Sequence, residues 1–223
     1  MNAPAEQRTE EWRQERAGKI TASNFAAAIA VTPGDGVYKT GPRKGQPKVA
    51  EPTLERTRLM RTLAFERLAG IPKREVGAKS LSWGRDLEDA AKEAYMVDRG
   101  VLVEDSGFVL HPTHDFIGAS PDGLIGVDGG IEMKCPHDEQ VHIQTWLEGM
   151  PDGHMAQVQG NMLVTGRQWW DFISYDPRMA EPWRLYVQRI PRDDAYIKTL
   201  LTALLQFEAE LRAMVETLRR KAA

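Results

Sequence analysis

The segment Gly130-Ile-Glu-Met-Lys-Cys-Pro136 constrains the fold most tightly, because it encloses two charged residues in an apolar frame. Residues two apart on a β-strand share a face, so Glu132 and Lys134 project to one side while Met133 enters the other and offers its backbone carbonyl. A strand framed this way is partly buried, and buried charges are costly without a partner. Ten residues before Glu132, Pro121 and Gly123 bracket Asp122 at a turn, which can return the chain so that Asp122 ends near Glu132 in a hairpin. Two carboxylates then converge. Oxygen ligands of this kind, completed by the Met133 carbonyl and water, suit the hard ions Mg²⁺ or Mn²⁺, and the sequence has no Cys or His cluster with zinc spacing. An ammonium at Lys134 would stand near an attacking water and the charge that develops on phosphorus, which is the arrangement of metal-assisted phosphodiester hydrolysis. Glu88, in Trp83-Gly-Arg-Asp-Leu-Glu88 on a predicted helix, supplies a third carboxylate. The spacing of Asp122, Glu132 and Lys134 also occurs in surface ion pairs; the apolar frame is what separates this case from those.

Along the chain, Thr9 to Arg16 reads as a short charged helix, and Thr21 is placed to N-cap a second one through Ile29. Residues 31–52, rich in Pro, Gly and Lys/Arg, read as a long exposed loop. Helices are predicted over 53–69, stopped by Gly70, and over 82–98, ending at Gly100. The middle changes to short strands at 101–103, 107–110, 116–120 and 130–135. Helices at 137–148 and 153–164, strands at 169–175 and 185–190, and a long amphipathic helix at about 193–221 complete the pattern. The stripe of that last helix is read as Ile197, Leu200, Leu201, Leu204, Leu205, Leu211, Met214, Val215 and Leu218. Without a linker-like break, residues 1–223 are expected to form a single α/β (α+β) domain, a central mixed sheet flanked by helices.

Net charge is −3, but the average hides an asymmetry. Residues 39–79 carry eleven Lys/Arg against four acids, and residues 80–160 carry fifteen acids against four basic residues. A positive segment beside a carboxylate-rich one can hold a phosphate polymer and concentrate divalent cations, although either can also be a solvated face. The single Cys135 closes no intramolecular disulfide, and the N-terminus shows no apolar leader, so a cytoplasmic location is the expectation. No apolar run approaches the roughly 20 residues of a membrane span.

Taken together, Trp12 with Arg16-x-Gly18-x-Ile-Thr-Ala-Ser23, Trp83-Gly84 with Glu88, Ser120-Pro-Asp-Gly-Leu124, Glu132-Met-Lys-Cys-Pro136, Met155-Ala-Gln-Val-Gln159 and Tyr175-Asp-Pro-Arg-Met179 resemble the lambda-exonuclease, or YqaJ-like viral recombinase, family. The resemblance covers roughly residues 9–190 and implies a restriction-endonuclease-like PD-(D/E)xK core. It also implies a Mg²⁺-dependent exonuclease (Mn²⁺ serving in its place) that digests linear double-stranded DNA 5′→3′. Such an enzyme releases 5′-mononucleotides and leaves 3′ single-stranded overhangs for recombination with a single-strand annealing protein. On that likeness Asp122, Glu132 and the Met133 carbonyl would hold one ion and Glu88 a second or its water shell, with Lys134 assisting the water and Gln157 at the edge of the site. Arg16, Ser23 and Ser120 would bind the terminal 5′-phosphate, Leu81 would act as a wedge in the DNA end, and the assembly would be a ring-shaped homotrimer. An endonuclease of the same fold, or a non-catalytic DNA-binding protein that retains it, is the alternative. The histidines 111, 114, 137, 142 and 154 are given no catalytic role, His154 lying one turn from Gln157, and Cys135 is read as core rather than nucleophile.

Overall fold

The computed structural model describes residues 7–73 and 79–222, the side chains at 79–82 and 85 excepted. Helix α1 (Glu10–Arg16) is capped by Thr9, whose hydroxyl accepts from the Trp12 amide. After β1 (Ile20–Thr21) the expected helix divides into a 3₁₀ turn, Ala22–Asn24, and a short α2 (Phe25–Ile29). Thr21 makes no capping bond, because its hydroxyl is already held by Arg16 and Asn24.

Residues 31–52 form a pinned arm rather than a featureless loop. Strands β2 (Val31–Thr32) and β3 (Glu51–Pro52) pair antiparallel at its base, and Val37 bridges to Pro47. Arg43 pairs with Glu51 at 2.5 Å and lies over the Tyr38 ring, so part of the arm's positive charge is spent internally. Helix α3 (Leu54–Ala69) begins at the Thr53 cap and stops at left-handed Gly70, as its sequence signals require.

Helix α4 (Lys79–Arg99) leads to β4 (Val109–Leu110), β5 (Ile117–Ala119), β6 (Gly123–Ile125) and β7 (Gly129–Lys134). The predicted strand at 101–103 is absent; the chain there reaches the sheet only through a bridge from Glu104 to Leu124. Helices α5 (Glu139–Glu148) and α6 (Met155–Thr165) connect β7 to β8 (Trp169–Tyr175), and β9 (Leu185–Pro191) precedes the terminal helix α7 (Asp194–Ala222).

Among the described residues the strands outside the arm form two mixed sheets in place of one, in the orders β6-β7-β8-β9 and β1-β5-β4, each with one parallel pair. The four-stranded sheet is covered on both faces, which explains why β7 and β8 are buried along nearly their whole length. On one face Ala91 and Tyr95 of α4 pack on Ile131, Met133, Ile173 and Tyr175. On the other, Trp170 and Phe172 join α2, α6 and α7 in the main core. Gly160 makes this possible: a Cβ there would lie 2.3 Å from the Phe25 ring, so only glycine lets α6 meet α2 this closely. Helix α7 buries Ile197, Leu200, Leu204, Phe207, Leu211 and Val215, while Leu205 and Leu218 are 40% and 43% exposed. Leu205 leaves the expected stripe because a step of one residue past Leu204 turns about 100° around the helix, off the packed seam, whereas Leu218 keeps the angular position of Leu211 but lies beyond Val215, the last buried residue of the helix. Arg67 of α3 ties α7 down through two bonds to the buried Glu208.

Candidate active site

Strand register brings the two carboxylates together. Gly123 pairs with Ile131, so one further step of the antiparallel ladder sets Asp122 opposite Glu132. The Asp122 Oδ2 accepts the Met133 N–H at 2.7 Å, which fixes the expected hairpin. Glu132 is 1% exposed, beside Phe172 in the parallel pairing with β8. Its Oε1 accepts from Lys134 Nζ at 2.5 Å, and its Oε2 accepts from Asn161 Nδ2 at 3.2 Å. Burial disfavours a charged Lys134, yet the carboxylates of Glu132, Asp122 and Glu88 outweigh it and hold the ammonium above the ordinary lysine pKa. Met133 and Cys135 fall on the opposite face, against the α4 core, as strand alternation demands. Burial, with Glu88 and Asp122 adding to it, pushes the Cys135 thiol up to about 12, so it is no thiolate nucleophile.

Glu88 comes to the same region from α4. It is half-buried and ion-paired with Arg8, a residue whose backbone lies in the left-handed region at φ 72°. Gln7 beside it donates to the carbonyls of Ser106 and Pro121 at 2.9 and 2.7 Å, which fastens the N-terminal segment next to Asp122. Burial raises the Glu88 pKa, and the Asp122 charge raises it further. The three carboxylates thus approach in pairs. Among the described residues, no three His, Cys, Asp or Glu side chains close into a ligand cluster unaided.

Asp122 and Glu132 nonetheless fit a divalent cation. Burial, then the charge of Glu132, pushes Asp122 up to about 7, and a divalent cation between the two carboxylates would favour the ionised form that both of these causes oppose. The sign of the pH effect follows. Between the ordinary value of 3.8 and about 7 the unfolded chain has lost this proton while the folded chain keeps it, so Asp122 costs stability as pH rises through that window. A cation that neutralises the pair removes the cost. The rise in melting temperature on adding Mn²⁺ is therefore expected to be larger at roughly pH 8 than at roughly pH 5. Equal shifts in a fluorimetric melt at the two pH values would exclude this pair as the binding site.

A second cluster forms around Arg16. Its Nη1 donates to Ser120 Oγ at 2.7 Å, and its Nη2 reaches Ser23 and Thr21 hydroxyls at 3.3 and 3.4 Å. The Arg16 guanidinium lies 4.2 Å above the Trp12 ring, and Trp12 Nε1 donates to the same Ser120 hydroxyl at 3.0 Å. Helix α1 and the 3₁₀ turn meet the end of β5, far from them in the sequence, because β1 and β5 pair in parallel. A cavity of about 130 Å³ beside the cluster is lined by Trp12, Arg16, Thr21, Asn24, Leu59 and Lys73, among others.

The structure thus assembles Arg16, Ser23 and Ser120 in one group and Asp122, Glu132 and Lys134 in another, with Glu88 at the margin. Gln157 sits half-buried on α6, one turn before Asn161. His154 stacks on Phe172 with 5.3 Å between ring centroids, and burial with the Lys134 charge nearby pushes it down to about 4, so it lines the site as a neutral ring. Leu81, expected as the wedge, has a side chain outside the described residues. Sequence reading missed Asn161 and Arg8. Asn161 carried a signal, an amide four residues after Gln157 in an apolar helix; Arg8 carried none.

A YqaJ-like viral recombinase domain matches residues 11–168. The chain belongs to the YqaJ-like viral recombinase family. Within that frame, it is 37% identical to an alkaline exonuclease from Laribacter hongkongensis, covering 96% of this chain and 98% of that one with a TM-score of 0.81. The same exonuclease in complex with dAMP matches at a TM-score of 0.82. A phage-related exonuclease from Haemophilus somnus shares the fold, at 18% identity and a TM-score of 0.61 over 92% of this chain and 96% of that chain. The architecture is the PD-(D/E)xK nuclease fold. An uncharacterized protein of Acanthamoeba polyphaga mimivirus is 26% identical over 82% of this chain, which spans 31% of that relative's length. Among the described residues no helix is long and apolar enough to cross a membrane.

Proposed function

We propose that this chain, a nuclease by family and fold, is a divalent-cation-dependent exonuclease that degrades linear duplex DNA from a 5′-phosphorylated end. On this reading it releases 5′-mononucleotides and leaves 3′ overhangs for a strand-annealing partner. One observation carries the reading: Ser120, bonded to Arg16, and Asp122, paired across the hairpin with Glu132, are separated by a single residue. Two residues span at most about 7 Å, so an anion held by Arg16 lies next to the carboxylate pair. A terminal phosphate in that cluster puts the neighbouring phosphodiester of the same strand at the carboxylates. Removal of one nucleotide at a time is what this spacing supports. The Laribacter relative's complex with dAMP is consistent with a product of that size.

Each part of the site has a definite task. Asp122 and Glu132, with the Met133 carbonyl, would hold the first Mg²⁺ or Mn²⁺, and Glu88 would serve a second ion or its water. The bound cation would neutralise the carboxylates and polarise the scissile phosphate. Lys134, kept protonated by its carboxylate neighbours, sets a positive charge beside the attacking water and the developing phosphorane. Arg16 offers a planar fork to the terminal phosphate, and the Ser23 and Ser120 hydroxyls complete its hydrogen bonds. Gln157 borders the centre from α6. The ring-shaped homotrimer and the Leu81 wedge rest on family likeness alone.

The decisive test uses a 5′-labelled linear duplex beside a closed circle of the same sequence, each with Mg²⁺. Label is expected to leave the linear duplex as mononucleotide while the circle stays intact. Cutting of the circle would establish an endonuclease instead, and release of no nucleotide from either would favour a non-catalytic DNA-binding role.

A further inference from the structure

Helix α6 is packed on the main core through Ala156, Val158, Met162, Leu163 and Val164, and in this apolar run Asn161 is 1% exposed. Asparagine is a poor helix former, and its amide is costly to bury, so a leucine would serve packing better. Its Nδ2 donates to Glu132 Oε2 at 3.2 Å, while its Oδ1 is buried and finds no hydrogen-bond partner among the described residues. A buried acceptor left without a donor is a penalty that packing alone does not explain. The benefit has to lie in the other end of the amide. Among the described residues Glu132 receives two side-chain bonds, from Lys134 at Oε1 and from Asn161 at Oε2. Lys134 is on a flexible four-carbon stem and its side chain is a third exposed, whereas Asn161 is short, buried and set on a rigid helix.

We propose that Asn161 is a positioning residue for the cation site, fixing Glu132 Oε2 so that Oε1, the oxygen held by Lys134, is the one presented to the divalent ion. This rests on the reading of Asp122 and Glu132 as cation ligands. A group that orients a metal ligand acts through affinity for the ion, and losses of this kind run to about 10–100-fold.

The test is a calorimetric Mn²⁺ titration of the full chain, paired with initial rates of nucleotide release from a linear duplex across Mn²⁺ concentrations. Asn161→Leu keeps the branched shape, with some added bulk, and removes the donor. It is expected to weaken Mn²⁺ binding by about 10–100-fold and to move the Mn²⁺ midpoint of activity upward by the same factor, with the rate recovering at saturating Mn²⁺. A merely structural role would lower the melting temperature and the rate while leaving both Mn²⁺ midpoints in place. Should Asn161→Leu fail to fold, Asn161→Ala, which withdraws the donor without adding bulk, carries the same expectation. Wild-type Mn²⁺ affinity in a folded variant overturns the positioning role. A wild-type chain that takes up no Mn²⁺ overturns the cation reading itself, so the two failures are told apart by the control.

Discussion

Asp122→Asn and Lys134→Ala are each expected to reduce nucleotide release from a linear duplex by about 10²–10³-fold, and a calorimeter separates the two causes. Asparagine at 122 keeps an oxygen to accept the Met133 N–H, so the hairpin persists, but it carries no charge and Mn²⁺ binding is expected to disappear. Alanine at 134 leaves both carboxylates in place, and Mn²⁺ binding is expected to survive or tighten because the ammonium no longer occupies Glu132 Oε1. Without Mn²⁺, Lys134→Ala also strands a Glu132 that is almost wholly buried. Breaking a fully buried pair costs about 3–5 kcal/mol; with the Lys134 side chain a third exposed, only part of that is expected, seen as a lower melting temperature that Mn²⁺ restores. Nucleotide release at the wild-type rate by Lys134→Ala would remove the amine from the chemistry. Undiminished Mn²⁺ uptake by Asp122→Asn would move the ion elsewhere.

Arg16→Ala is expected to erase a preference for 5′-phosphorylated over 5′-hydroxyl duplex ends, with a loss of about 10–100-fold on the phosphorylated substrate and little change on the other. Hydrogen bonds to a charged group are worth about 1.5–3 kcal/mol, which sets this range. Arg16→Lys restores charge without the planar fork that now reaches Ser120, Ser23 and Thr21 together, so it recovers only part of the preference. Competition between the two ends at equal concentration reads the ratio directly. A wild-type chain indifferent to the terminal phosphate would show that the Arg16 cluster serves another purpose.

Much of this site is legible in the linear order because strand geometry is local. Alternation alone puts Glu132 and Lys134 on one face and Met133 and Cys135 on the other, and Pro121 with Gly123 marks the turn that returns Asp122 to Glu132. Helix ends at Thr53 and Gly70 follow from capping chemistry confined to a few residues. The misreadings arise where a distant partner decides. Thr21 has the chemistry of an N-cap, yet Arg16 and Asn24 take its hydroxyl first. Residues 101–103 have the apolar character of a strand, but the bridge to the sheet falls on Glu104, just past them. The 31–52 arm looks like open loop until Glu51 returns to meet Thr32 and Arg43.

The sequence by itself therefore determined most of the longer helices and strands, the Asp122–Glu132 hairpin and the two-carboxylate motif, since each depends on residues close to one another along the chain. Only the tertiary structure decided that Arg16 joins Ser120 from over a hundred positions away, that Arg8 pairs with Glu88, and that a helix amide at Asn161 reaches Glu132. Those contacts depend on how β1 docks beside β5 and how α6 lies over β7 and β8, and packing of this kind leaves no periodic trace in the chain.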